Sequence, residues 1–338
     1  MTVDNVDWPP PDSEGQGFEA RAFEEHRAHL HSVAYRMLGS LNEADDAVQE
    51  SWLRLSRSDT GDVRDLRAWL TTVVSRVCLD MLRSRATRRE DSLDVHVPDP
   101  IVTRVDDDPA DHAVMAESVG IALMVVLDTL PPAERLAFVL HDIFAFPFDQ
   151  IGQILDRTPA AAKQLASRAR QRLRAAPAHS SATATAADDW PDAASWADPT
   201  SAGTGPAGTG PAGTGDLERQ WSVVNAFRAA SVKGDFESLL AILDPDVVLR
   251  ADAGTGPLGP SVLVRGARGV IGQSQRFKSL GRFARRVLVN GAPGFLVVRG
   301  GEALAVIGVT IQDGRITEMD ILADPDRLRQ LDLAGFAE

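Results

Sequence analysis

The spacing of apolar residues changes character along the chain. As far as residue 175 they recur every three or four positions, the period of helices with one buried face. "FEEHRAHLHSVAYRMLGS" sets Phe23, Leu30, Val33, Ala34, Met37 and Leu38 on one face and stops at Gly39. "LNEADDAVQESWLRLSRS" turns Ala44, Ala47, Val48, Ser51, Trp52 and Leu55 inward. "VRDLRAWLTTVVSRVCLDMLRSRATRRE" predicts a third long helix on Leu66, Trp69, Leu70, Val73, Val74, Val77 and Met81, with a strongly basic end. Trp52 and Trp69 lie in these apolar stripes and read as core. A second helical group holds "AVMAESVGIALMVVLDTL", "PPAERLAFVLHDIF" and "FDQIGQILDRTPAAAKQLASRARQRLR". Beyond residue 215 the period changes. "WSVVNAFRAASVKGDFESLLAIL" predicts two helices. Then "DVVLRAD", "VLVRGARGVIGQSQRF" and "RRVLVNGAPGFLVVRGGEALAVIGVTIQDGRITEMDIL" read as short strands of an antiparallel meander, punctuated by Gly, Asn-Gly and Asp-Gly. Helices followed by strands predict an α+β domain.

Composition places the boundaries. "AGTGPAGTGPAGTG" (202–215) repeats a five-residue unit with no core-forming residue, so 176–215 reads as a flexible linker. Trp190 and Trp196 within it are either incidental or mark a docking segment. Residues 1–17 are acidic and rich in Pro and Gly, as in a disordered tail. This divides the chain into 18–90, a Pro- and Asp-rich link at 91–112, a helical group at 113–175, and an α+β domain at 216–338. No apolar run approaches a membrane span, and no basic-plus-apolar leader opens the chain. Cys78 is the only cysteine, which excludes a disulfide framework or a thiolate metal site. A cytoplasmic protein without metal or cofactor is expected. The formal charge of −13 sits in segments between the modules: −5 over 1–19, −6 over 91–112 and −4 over 176–215. Residues 20–90 and 113–175 come out at +1 each, so overall acidity does not exclude nucleic acid.

The last helical pair carries the clearest chemistry. "FDQIGQIL" buries Ile151, Ile154 and Leu155; "DRTP" ends one helix and starts the next, with Asp156 or Thr158 as cap and Pro159 in the first turn. Ala162, Ala166, Ala169 and Leu173 form a close-packing stripe. Lys163, Gln164, Ser167, Arg168 and Gln171 lie away from it, as a recognition helix in a major groove requires. Arg and Gln read purine edges, and Lys and further Arg neutralise phosphate.

Over residues 18–175 the two helical groups together resemble the extracytoplasmic-function sigma factors of bacterial RNA polymerase. "FEEHRAHLHSVAYRMLGSLNEADDAVQESWLRL" and "DLRAWLTTVVSRVCLDMLRSRATRRE" look like their region two. "LDTLPPAERLAFVLHDIFAFPFDQIGQIL" with "AAAKQLASRARQRLR" looks like region four. The resemblance implies a protein that binds core RNA polymerase and directs promoter-specific transcription initiation. It implies that Asp45, Asp46, Gln49 and Glu50 meet the polymerase. Ser75, Arg76, Arg83 and Arg85 would lie along the minus-ten element, and helix 160–174 on the minus-thirty-five element.

The segment 216–338 resembles the SnoaL-like, ketosteroid-isomerase-like cone, which one sigma-factor group carries fused at its C-terminus. "HVPDP", from His96 to Pro100, resembles that group's Trp-Leu-Pro-Glu-Pro linker, and "DPDRL" (324–328) its Asn-Pro-Asp-Lys-Leu. The group's Asp-Gly-Gly-Gly motif appears only as "ADAGTGP" around Asp252. The resemblance implies a domain that packs on the helical modules and regulates them in cis, through His96, Pro98, Asp99, Pro100, Asp324, Pro325 and Asp326. The domain has no His and no Tyr, so an isomerase site would rest on Asp252, Asp313 or Asp320. No enzyme is expected, and a small-molecule ligand stays open. Two alternatives are a ligand-responsive helix-turn-helix regulator, which would not need residues 40–89, and a small-molecule isomerase or hydrolase with a DNA-binding appendage.

Overall fold

The computed structural model describes residues 13–58, 65–88, 95–105, 120–175 and 214–336, apart from 255 and 257. Trp190, Trp196 and most of the tail and linker lie outside them. Three helices come first: α1 (Ser13–Leu38), α2 (Leu41–Leu55) and α3 (Leu66–Arg88). Helix α1 begins inside the expected tail, at Ser13; residues 1–12 of that tail lie outside the described residues. A two-residue strand β1 (Val102–Thr103) precedes α4 (Ile121–Asp128) and α5 (Pro132–Phe138). A π-turn (Val139–Ile143), α6 (Phe148–Leu155) and α7 (Pro159–Ala175) complete the helical half.

The inward faces of these helices form one core rather than two. Leu30, Met37, Leu38, Val48, Leu70 and Val74 of the first group share a cluster with Met124, Leu136, Leu140, Ile151 and Ala166 of the second. Fully burying each such aliphatic side chain is worth roughly 1.5–3 kcal/mol. Trp52 and Trp69 pack on its margin.

The C-terminal half is α8 (Thr214–Lys233), α9 (Phe236–Ile242), β2 (Leu243–Asp252), β3 (Val262–Arg265), α10 (Ala267–Arg276), a 3-10 segment (Lys278–Phe283), β4 (Ala284–Val289), β5 (Ala292–Arg299), β6 (Glu302–Gln312), β7 (Arg315–Leu322) and α11 (Pro325–Leu328). The sheet order is β1-β4-β5-β6-β7-β2-β3. β4 to β7 form the expected antiparallel meander, but β2 pairs with β7 in parallel. "VLVRGARGVIGQSQRF" is a strand only to Arg265; Gly266 (φ +82°) then turns it into a helix that buries Ala267, Val270 and Ile271. This is an α+β domain, the class expected from its sequence. One sheet face packs on α8–α10 through Trp221, Phe227, Phe295, Val309, Ile316 and Met319. The other face, bearing Val287, Leu296, Val306 and Leu322, packs on Val97, Ile121 and Leu328.

The segment 91–112, expected to be a plain link, supplies part of that sheet. Val102 and Thr103 pair with Val289 and Leu288 at its edge. Ile101-Val102-Thr103 is a β-branched run, suited to a pleated edge. The N–H of Ile101 donates to Asn290 Oδ1 at 3.0 Å, and the N–H of Asn290 to the Ile101 carbonyl at 2.8 Å.

Candidate nucleic-acid interface and interdomain joint

The recognition helix has the division of labour its sequence implies. Ala162, Ala166 and Ala169 are fully buried, which brings α7 close to α5. Arg170 bonds Asp142 at 2.9 Å and Arg172 pairs with Glu134 at 2.9 Å, so these two cations tie the helix to its own module. Lys163, Gln164, Ser167, Arg168 and Gln171 are all exposed. The turn before them resolves the choice of cap. Asp156 ends α6 in the left-handed region (φ 54°), and Thr158 Oγ1 accepts from the Ala161 N–H at 3.2 Å.

The first module presents two faces. Asp45, Asp46 and Gln49 are exposed on α2; Asp45 lies 3.4 Å from His31, and Glu50 accepts from Arg54 at 3.1 Å. Asp46 and Glu50, together with Arg54, Val77, Met81 and Ser84, line an open groove between α2 and α3. The residues assigned to the minus-ten element divide. Arg83 is exposed, 3.6 Å from Asp80. Arg76 donates to the Gln153 carbonyl of α6 at 2.9 Å, and Arg85 bonds the Leu38 carbonyl and Glu43. Ser75 is fully buried, which corrects its placement on a DNA-contacting surface in this arrangement.

All three C-terminal-group motifs meet at one joint. Asp99 accepts from the Leu41 N–H at 3.0 Å at the start of α2, and its own N–H donates to the Gly39 carbonyl at 2.9 Å. Tyr35 donates to the Asp99 carbonyl at 2.6 Å and accepts from Asn290 Nδ2 at 3.1 Å. Arg327 then ties the layers together: Nε donates to Asp99 at 3.0 Å, Nη1 to Asp252 at 2.7 Å and Nη2 to the Val97 carbonyl at 2.6 Å. Asp252 also accepts from the Val97 N–H at 3.1 Å and faces His96 at 3.5 Å. Burial alone would raise the Asp252 carboxyl; the bonds from His96 and Val97 and the Arg327 charge outweigh it and hold the group below its ordinary value.

Of the expected contacts, Pro98 packs near Gly39 and Pro325 near Gly256. Pro100 is buried beside them. Asp324 acts locally, capping α11 by accepting from the Asp326 and Arg327 N–H groups, and so aims Arg327. Asp326 instead pairs with Arg329 in solvent, because its place in the first turn of α11 points it outward. Arg327, Tyr35 and Asn290 were missed.

None of the three acids considered for catalysis faces α8–α10. Asp313 sits exposed in the β6–β7 turn. Asp252 belongs to the joint. Asp320 and Glu318 are buried beside Arg250, whose Nη1 bonds them at 3.0 and 2.7 Å. Their neighbour Gly308 lies under Ile121 of α4. Burial, reinforced by the Asp320 charge and opposed by Arg250, pushes Glu318 up to about 7; burial raises Asp320 as well. The folded state therefore binds protons that the unfolded chain releases above a pKa of 4.5. The Glu318 contribution is fully present below pH 4.5 and lost as pH rises through about 7. His29, buried and held near 4, opposes this, since its contribution is lost as pH falls below 6.5. Glu318→Gln is expected to remove the Glu318 part: the melting temperature of the variant minus that of the native chain should grow by several degrees between pH 5 and pH 8. A constant difference across that range would show that Glu318 is ionised throughout.

The Sigma-70 region 2 family profile matches residues 22–88, and Sigma-70, region 4 matches residues 121–173. The chain is 39% identical over 324 residues to the ECF RNA polymerase sigma factor SigJ of Mycobacterium tuberculosis, covering 91% of this chain and 93% of that one. The chain belongs to the extracytoplasmic-function RNA polymerase sigma factors. It is also 34% identical to a probable ECF RNA polymerase sigma factor, SigI, of the same organism, over 92% of this chain and 94% of that one. The crystal structure of SigJ covers 94% of this chain and 99% of its own, with a TM-score of 0.65 and 34% identity. As a member of this family the chain binds core RNA polymerase and directs promoter-specific transcription initiation, and both sigma regions needed for that are present. Among the described residues no helix is long and apolar enough to cross a membrane.

Proposed function

We propose that this sigma factor is held closed by its own C-terminal domain, and that opening it releases promoter recognition. One observation carries the reading: regions two and four share a single core, and the Arg327 joint clamps the sheet against it. The minus-ten and minus-thirty-five elements lie about 25 base pairs, or about 85 Å, apart on duplex DNA. The longest helix of the bundle, α1 with 26 residues, spans only about 39 Å. Regions that share a core cannot straddle that distance, so gripping both elements requires them to part. In the closed form Arg76 is bonded to region four and Ser75 is buried, which withholds part of the minus-ten face. The acidic face of α2 stays open to polymerase.

In this reading Asp45, Asp46, Gln49 and Glu50 contact polymerase. Lys163, Gln164, Ser167, Arg168 and Gln171 read the minus-thirty-five element, and Arg76, Arg83 and Arg85 reach the minus-ten element after opening. The C-terminal domain acts as a regulator and not as an enzyme, in the cytoplasm where polymerase works. The filled face under α8–α10 and the placement of Asp252, Asp313 and Asp320 support this.

The test is transcription in vitro with core polymerase on a cognate promoter. Transcripts should appear only with this protein. Lys163→Glu/Arg168→Glu should weaken duplex promoter binding by about tenfold or more, lower the salt slope by about 2, and leave core binding unchanged. Equal losses of core and promoter binding would point to misfolding and remove these residues from the DNA-reading role.

A further inference from the structure

The C-terminal domain carries a charged surface that neither the joint nor the sigma regions use. From Ala253 to Gly301 the sequence holds no acid and eight basic residues, in a chain of formal charge −13. All eight side chains are exposed. Among the described residues none of them is held in an ion pair.

Several converge where β4 begins and β5 ends. Arg282 and Arg299 lie over the Phe283 ring, 4.7 and 5.7 Å from its centre. Arg286 lies 4.1 Å over Trp221. Arg228 donates to the Ala284 carbonyl at 3.5 Å and sits 6.0 Å over Phe295, the residue opposite Arg286 in the sheet. Lys278 stands beside them on the 3-10 segment. A guanidinium laid flat on a ring is held in place and keeps its edge N–H groups for an anion. Glu302 lies opposite Arg299 across the β5–β6 hairpin, and Glu218 lies one turn before Trp221.

We propose that this face is a further DNA-contact surface, which binds the phosphate backbone of duplex DNA without reading its sequence. Clustered unpaired cations repel one another, and a regular polyanion relieves that repulsion while releasing its counterions. Duplex DNA is favoured over an acidic protein because the cations run along a strand edge and a neighbouring helical segment, rather than ringing an apolar pocket. The chain supplies the proximity. Thirty-eight residues separate Ala175, the end of the recognition helix, from Thr214. Fully extended they span at most about 130 Å, so a domain released from the joint stays within reach of the DNA that helix occupies.

The experiment measures binding of the full chain to fluorescent promoter and scrambled duplexes from about 50 to 300 mM salt. Lys278→Gln/Arg282→Gln/Arg299→Gln should weaken both duplexes by the same factor, about tenfold at the low-salt end, and lower the log–log salt slope by about 2–3. Lys278→Gln alone, whose side chain rests on no ring, should lower the slope by about 1 and serves if the triple variant does not fold. Arg282→Lys/Arg299→Lys should keep the slope. Unchanged slopes overturn the proposal, as does a loss confined to the promoter duplex. A loss of core polymerase binding at unchanged slope also overturns it and makes the face a protein dock. Lys163→Glu/Arg168→Glu, measured beside these, should lose promoter preference as well as slope, so failure of the region-four reading is seen separately.

Discussion

Arg327→Ala should open the molecule and raise its transcriptional activity several-fold at equal protein and core polymerase concentration. The guanidinium is the one cation joining Asp99, Asp252 and the Val97 carbonyl across three segments. Asp99 is 6% exposed and Asp252 7% exposed, so removing Arg327 leaves two carboxylates buried without their countercharge. Breaking a buried pair in this way costs about 3–5 kcal/mol. Separating the layers relieves the cost, because water reaches both acids, whereas the closed form cannot avoid it. The variant should therefore show a larger hydrodynamic radius and faster proteolysis between the modules. Arg327→Lys, which keeps the charge but lacks the fork, should fall between the two. The point variant is more informative than ending the chain near residue 215, because it opens the joint while keeping the basic face of the C-terminal domain. A radius and a transcript yield identical to the native protein would sink the closed-state reading.

The parts legible in the sequence were those set by local periodicity. Helical spacing gave the inward faces of α1, α2 and α7, and the exposed row from Lys163 to Gln171 follows from the position of the alanine stripe. The joint was half legible. "HVPDP" and "DPDRL" were marked, yet the residue that unites them, Arg327, bonds a partner 228 positions away, and no local pattern encodes that pairing. The signal available was chemical: Asp99 and Asp252 lie in apolar, Pro- or Gly-rich stretches, and acids buried there need a cation. Asp326 was chosen over its neighbour because one position along a short helix decides between solvent and interface. The strand at Val102 and Thr103 was hidden by its length, since two residues carry no period. Ser75 is a related case: the resemblance fixes its position on α3 but carries no information about its burial.

Gly152→Ala is expected to remove most duplex recognition by region four while leaving polymerase binding by region two intact. Two effects of opposite sign compete. Alanine favours a helix interior over glycine by roughly 1 kcal/mol. A methyl group at this position, however, would stand 2.7 Å from the Arg157 carbonyl oxygen and 3.3 Å from the Pro159 nitrogen and the Thr158 carbonyl carbon. These are backbone atoms of the turn and cannot swing aside as a side chain can. The turn is already fixed by the Arg157 N–H bonded to the Gly152 carbonyl at 2.8 Å and by Asp156 in the left-handed region. On the other side, buried Ile151, Ile154 and Leu155 hold α6 in the shared core. Overpacking such a contact costs about 1–3 kcal/mol, which outweighs the propensity gain. The clash is relieved only if α6 and α7 spread, and that moves Lys163, Gln164 and Arg168 relative to the helix that supports them. Duplex promoter affinity should fall by about tenfold or more, with a lower melting temperature. Co-elution with core polymerase should persist, because Asp45, Asp46 and Gln49 lie on α2, in the other module. Native affinity and melting temperature in this variant would mean that the turn yields without disturbing the recognition helix, and that the close approach at Gly152 is not what positions it.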